Sequence, residues 1–185
     1  AEGEKEFTNS YTGEQFQSRY YNGMRFHRVV PGLLIQAGSP AYNPLGLQVD
    51  LLDDEINADS LGLNQITALN PDGSIADILN IESKSDLHEE ILTPLYAQRN
   101  ISDVEAVLRE QYQILEVLQG LSVKSVYENQ GYRYDDSLES RPIERGTVGM
   151  ANSGPDSNGT EFFISLSEAP WLTGKYTVIG GIVEG

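Results

Sequence analysis

Between Thr147 and Ser165 the chain reads as two extended runs, Thr147 to Ala151 and Glu161 to Ser165, around a loop of Ser, Gly, Pro, Asp and Asn. Period-two alternation sends Phe162 and Ile164 of the second run to one face, and Glu161, Phe163 and Ser165 to the other. Phe163 is then an aromatic on a polar face. Either a neighbouring loop covers it, or it lines an open apolar pocket. A second extended region precedes this one. Tyr20 to Val30 turns apolar and aromatic, with an Asn22-Gly23 turn just before its strand, and Pro31-Gly32 turns the chain into a strand over Leu33 to Gly38. Leu34 and Gln36 share one face of that strand; Leu33, Ile35 and Ala37 share the other. Two strands joined by Pro-Gly predict a meander. Residues 1–19 are polar, with a turn at Thr12-Gly13, and read as an exposed loop.

The pattern changes to helical spacing in the middle. Leu87, Ile91 and Leu95 form one stripe over Asp86 to Gln98, with Pro94 predicted to kink the helix by removing a donor. Ser102 and Glu105 make a capping-box pair for a second helix carrying Val104, Val107, Leu108, Ile114, Leu115 and Leu118, with Gly120 as its stop. Together these predict a helical hairpin. Its apolar faces bury against each other and the strands, or form a groove for a partner; the partner of such a groove is not indicated. DDEI at Asp53 is echoed by DDSL at Asp135, the trace a long insertion between two halves of a loop would leave.

Composition narrows the function. A net charge of -16 disfavours nucleic acid, whose phosphates need a basic face, and disfavours an anionic membrane surface. No apolar run is long enough for a membrane helix, and the amino terminus is not signal-like. The absence of cysteine excludes disulfides and thiolate chemistry, and leaves the compartment open between cytoplasmic and periplasmic or secreted. His27 and His88 lack metal-ligand spacing, and Asp72, Ser74 and Asp77 fall short of a calcium loop. Asn100 and Asn158 open formal glycosylation triplets of a kind common by chance.

Three stretches, in order, carry a family resemblance: FHRVVPGLLIQAGSP from Phe26, MANSGPDSNGTEFFIS from Met150 and PWLTGKYTVIGGIVEG from Pro170. The chain resembles the cyclophilins. The resemblance implies a mainly β fold, a closed antiparallel barrel with capping helices, incomplete at both termini and interrupted by a helical hairpin. In these terms residues 1–185 are one partial domain with an insertion over about residues 41–130, helical over about 86–119. The family's first two strands and first helix would precede this chain and its closing helix and strand would follow it, leaving unpaired strand edges and a poorly stable isolated piece.

The resemblance also implies an activity: peptidyl-prolyl cis-trans isomerisation of proline-containing polypeptides, assisting folding, with no metal or cofactor. The obstacle is amide resonance, a barrier of about 18–20 kcal/mol. A hydrogen bond donated to the prolyl nitrogen stabilises the twisted amide, and arginine, always charged and forked, suits the task. Arg28 matches the catalytic arginine. Phe163, Leu34 and Leu172 would wall the proline pocket, with Leu33 beside it. Gln36, Asn152 and the Ala151 backbone would bind the substrate main chain, and Trp171 would form the rim that contributes to cyclosporin binding.

The chain departs from the family's common pattern at several of these positions. Leu33 and Leu34 stand for Phe and Met, Tyr176 for a rim His, and Glu161 for Gln. An ionised carboxylate only accepts hydrogen bonds; Glu161 is expected either to pair with Arg28 and hold it or to compete with substrate for it. Two alternatives accompany the enzyme reading: a catalytically weak module that binds proline segments, and an adaptor recruiting a partner through the helical insertion.

Overall fold

The computed structural model describes residues 6–9, 11–17, 19–43 and 50–184. They divide into two units, one of Ala1–Asp54, Ile143–Ala169 and Tyr176–Gly185, the other of Glu55–Pro142 and Pro170–Lys175.

The first unit is built on an antiparallel sheet of five strands in the order β3-β4-β6-β5-β7: β3 (Arg28–Val30), β4 (Leu34–Ala37), β5 (Thr147–Met150), β6 (Phe162–Ser165) and β7 (Val178–Gly181). The β3–β4 meander forms as its turn residues require. Gly32 takes φ +76°, a value costly for any side chain, and Leu33 N–H donates to the Val30 carbonyl at 3.0 Å. Among the described residues the sheet is not closed by hydrogen bonds, and β3 and β7 are its edges. The polar loop between β5 and β6 is anchored by fully buried Asn158, whose Nδ2 donates to Asp54 Oδ1 at 2.7 Å. Asp54 and Asp156 then lock reciprocally, each backbone N–H donating to the other's carboxylate at 3.0 Å.

One expectation is corrected here. Residues 6–9 and 11–17 belong to a hairpin, not a loop: β1 (Glu6–Thr8) pairs with β2 (Gln15–Gln17). Asn9 Oδ1 accepts from the N–H groups of Tyr11 and Thr12 and Gly13 turns left-handed, so side-chain chemistry closes a turn between strands too short to show a period. The remainder of that stretch, residues 1–5, 10 and 18, lies outside the described residues. On β6 the face with Phe163 and Ser165 is the covered one, at 2% and 1% exposure, while Phe162 and Ile164 are half-buried.

The second unit is helical. Helix α1 covers residues 84–98 as an α turn (Lys84–Asp86), a π-helical stretch (Leu87–Leu92) and an α-helical end (Thr93–Gln98). Pro94 has no N–H for the carbonyl of Glu90, and Gln130 Nε2 donates to that carbonyl instead at 2.7 Å. A capping box at Ser83 and Asp86 starts the helix. Helix α2 (Val104–Gly120) is capped by Asp103, whose carboxylate accepts from Ala106 N–H at 2.8 Å. The expected pair Ser102 and Glu105 is displaced by one residue, because an aspartate caps as well as a serine and adds its charge to the helix's positive end. The hairpin packs on itself through Leu95, Ile101, Ala106 and Ile114, with Val107 and Leu118 alongside. Val104, Leu108 and Leu115, assigned to the same stripe by spacing, point outward at 74%, 59% and 50% exposure.

A further helix, α3 (Val123–Asn129), supplies the unit's centre: Val123, Val126 and Tyr127 are 0–1% exposed and pack with Leu63, Ala68 and Ile91. Lys175 lies over the Tyr127 ring at 4.7 Å. The two ends of the unit's long segment meet, with Asp135 N–H donating to the Ile56 carbonyl at 2.8 Å and Asn57 Nδ2 to the Leu138 carbonyl at 2.7 Å. No helix among the described residues is long and apolar enough to cross a membrane.

Candidate active site

One cross-strand row organises the site. Arg28 on β3 stands opposite Gln36 on β4, Gln36 opposite Phe163 on β6, and Phe163 opposite Gly149 on β5. Register partners project from the same face of a sheet. The row therefore runs from a buried ring at Phe163, through half-buried Gln36, to an exposed guanidinium at Arg28. Leu34, two residues before Gln36, adds an apolar side chain to that face at 8% exposure.

Hydrogen bonds tie the polar end together. Arg28 Nη1 donates to Gln36 Oε1 at 2.9 Å, and Gln36 Nε2 donates to Glu161 Oε1. The same Glu161 oxygen lies 3.0 Å from His27 Nε2. The imidazole is itself stacked on Tyr42, with ring centroids 4.7 Å apart and planes 23° apart. Glu161 thus reaches Arg28 through Gln36.

The apolar end is closely covered. Phe163 meets Tyr176 edge-on at 5.4 Å, and the absence of a side chain on Gly149 makes room for the ring. Burial raises the Tyr176 phenol above its ordinary value, the Arg28 charge partly opposing it. Beside the row, a cavity of about 220 Å³ is lined by Gln36, Ala151, Asn152, Ser157, Thr160 and Glu161. Ala151 N–H donates to the Glu161 carbonyl at 2.8 Å, continuing the β5–β6 ladder, and Asn152 Nδ2 donates to Asn158 Oδ1 at 3.3 Å.

Of the residues predicted from sequence, Arg28, Gln36, Phe163 and Glu161 lie on this row or beside it, Ala151 and Asn152 line the cavity, and Tyr176 covers Phe163. Leu33 is half-buried at the start of β4. Trp171 and Leu172 belong to the second unit, on a 3-10 turn (Pro170–Leu172), where Pro170 and Trp171 line a cavity of about 380 Å³ with Ile75, Ile78 and Ile81. The sequence marks His27 only as a histidine without metal-ligand spacing; its partner Glu161 lies 134 residues away, and no spacing pattern connects them. Among the described residues no cluster of metal-ligating side chains occurs.

Residues 7–185 match the family described as cyclophilin type peptidyl-prolyl cis-trans isomerase/CLD. The chain belongs to the cyclophilin family. Similar proteins include the rhodopsin-specific peptidyl-prolyl cis-trans isomerase isozyme of Calliphora vicina, 45% identical over 51 residues, which is 28% of this chain and 22% of that protein. Peptidyl-prolyl cis-trans isomerase-like 1 of Emericella nidulans is 40% identical over 68 residues, 36% of this chain and 40% of the relative. Peptidyl-prolyl cis-trans isomerase ppi1 of Schizosaccharomyces pombe is 42% identical over 57 residues, 30% and 37% of the two chains. The matches thus span about two fifths or less of these relatives' lengths. In this cyclophilin the arginine, its glutamine neighbour and the buried phenylalanine form one row, with the Glu161 carboxylate beside them.

Proposed function

We propose that this chain carries the catalytic face of a peptidyl-prolyl cis-trans isomerase acting on proline-containing polypeptides. The observation that carries the reading is the Arg28–Gln36–Phe163 row, which sets a tethered guanidinium on the same sheet face as a buried aromatic ring. The prolyl ring packs toward Phe163 and Leu34. Arg28 keeps donors beyond the one given to Gln36 and offers them to the prolyl nitrogen as its lone pair localises. Such a donor is oriented before reaction, so its contribution is electrostatic preorganisation. Each tenfold of acceleration requires about 1.4 kcal/mol off the barrier. Asn152, the Ala151 carbonyl and the amide of Gln36 hold the peptide main chain along the cavity.

Exchange spectroscopy on a Xaa-Pro peptide tests this reading: acceleration by the protein, abolished in Arg28→Ala, supports it, and exchange unchanged by the protein sinks it. Under the same reading residues 41–130 are an insertion into the isomerase domain, and Trp171 contributes to a cyclosporin-like ligand's site, which inhibition by cyclosporin tests. A second reading, a binding module of low turnover, is favoured by Tyr176 lying edge-on over Phe163. Peptide binding without line broadening of the cis and trans signals supports that alternative. An adaptor role draws on the exposed Val104, Leu108, Tyr112 and Leu115 of α2, and fails if every captured partner survives their replacement by polar residues.

A further inference from the structure

We infer that His27 and Glu161 form a positioning pair: His27 holds the Glu161 carboxylate against Gln36 and away from Arg28, which keeps the guanidinium oriented and its charge available. The inference rests on the isomerase reading for its kinetic consequence, and on hydrogen-bond geometry alone for its structural one.

Three facts carry it. First, Glu161 Oε1 has two partners, His27 Nε2 at 3.0 Å and Gln36 Nε2. A carboxylate can only accept, so both nitrogens donate to it and Nε2 carries the imidazole's proton. His27 Nδ1 is buried with no hydrogen-bond partner among the described residues, so the ring's only polar contact is the one to Glu161. Second, Gln36 has an amide with one donating and one accepting end, and each end faces a charge. Its NH2 meets the Glu161 anion and its oxygen meets the Arg28 cation at 2.9 Å. Turning the amide over would set donor against guanidinium and oxygen against carboxylate, two repulsive contacts in place of two attractive ones. A neutral residue at 161 leaves one of these contacts indifferent. Third, the imidazole is pinned by stacking on Tyr42 and its side chain is only 13% exposed, against 26% for that of Glu161.

Removing His27 leaves the Glu161 carboxylate short of one donor. The most attractive replacement is the guanidinium of Arg28, already linked to Glu161 through a single amide. Charge-assisted pairs of carboxylate and guanidinium are bidentate and strong, and such a pair would consume the donors intended for the prolyl nitrogen. The two fates weighed for Glu161, support for Arg28 or competition for it, are therefore separated by His27.

The test is a double-mutant cycle read by exchange kinetics and by nitrogen-15 spectra of the Arg28 guanidinium. In the native background His27→Ala is expected to lower the maximal rate about tenfold, the scale of one lost donor in part, with KM changed less than about twofold. In the Glu161→Gln background, where no anion competes for Arg28, His27→Ala is expected to change the rate less than about twofold. The Arg28 Nε signal shifts on His27→Ala only when Glu161 is present. Equal effects of His27→Ala in both backgrounds, or an effect on KM alone, overturn the inference. If the native protein shows no isomerase activity the function proposed above fails, and the guanidinium spectra still decide the positioning.

Discussion

Gly149 lies directly against Phe163: a Cβ built on the glycine would come within 2.5 Å of the ring's Cζ and 2.8 Å of its Cε1. Real Cβ atoms do not sit that close, so any side chain at 149 displaces the ring. Gly149→Ala is expected to destabilise the protein by about 1–3 kcal/mol, the range for overpacking a filled interior. Because the displaced ring heads the row that includes Gln36, the same variant should lose prolyl isomerisation out of proportion to its loss of stability. Thermal unfolding and peptide exchange on one preparation check both.

Arg28→Lys preserves charge and loses the fork. Lysine offers a compact ammonium that cannot bond Gln36 Oε1 and the prolyl nitrogen from one rigid plane. The expected loss is about 10²-fold in turnover, near the lower end for removing one preorganised donor. Stability should be unchanged within error because the side chain is exposed. A lysine variant as active as the native protein would show that charge alone suffices.

Gln130 and Pro94 form a thermodynamic pair in the second unit. Gln130→Ala is expected to cost about 1 kcal/mol, since its amide satisfies the Glu90 carbonyl that Pro94 leaves open. Replacing Pro94 by Ala restores an N–H to the helix, and the cost of Gln130→Ala should then fall toward zero. Urea unfolding of the four variants measures the coupling.

Alkaline pH should weaken the second unit through Tyr127. Burial raises its phenol well above the ordinary tyrosine range. The unfolded chain therefore releases this proton first, and stability present below pH 10 declines as pH rises further. Lys175, lowered by burial, acts oppositely: the unfolded chain holds its proton longer, so its contribution to stability rises with pH below the ordinary lysine value. Comparing native protein with Tyr127→Phe cancels the lysine. The variant should gain stability relative to native protein between pH 10 and 11.5, with no such trend between pH 7 and 9.

The elements legible in the sequence were those with a period and a bounding turn. Strands β4, β5 and β6 appear within a residue or two of their expected limits because Pro31-Gly32 and the polar loop bound them, whereas β3 begins only at Arg28, well past the Asn22-Gly23 turn. The strands at Glu6–Thr8 and Gln15–Gln17 are three residues long, too short for alternation to register, and were missed. Helix α3 was missed for a related reason: Val123, Val126 and Tyr127 make a single apolar step in seven residues, although Ser122 caps it. On β6 the alternation holds and the covered side was left open, since burial of Phe163 depends on Gly149 and Tyr176, residues of other strands and loops. At the site, local motifs pointed to Arg28, Gln36 and Glu161, whereas His27 acquires its role from a contact across the fold.

The hydrogen bond between Asp135 and Ile56 brings the two ends of the second unit's long segment to one point. In polymer terms that bond is a closed stem, and everything between its ends is a loop whose closure entropy grows only logarithmically with length. Doubling such a loop costs about 0.6 kcal/mol more. Residues can therefore be added or removed between Ile56 and Asp135 with little entropic effect on the stem, so long as the segment's own apolar core of Val123, Val126 and Tyr127 remains covered.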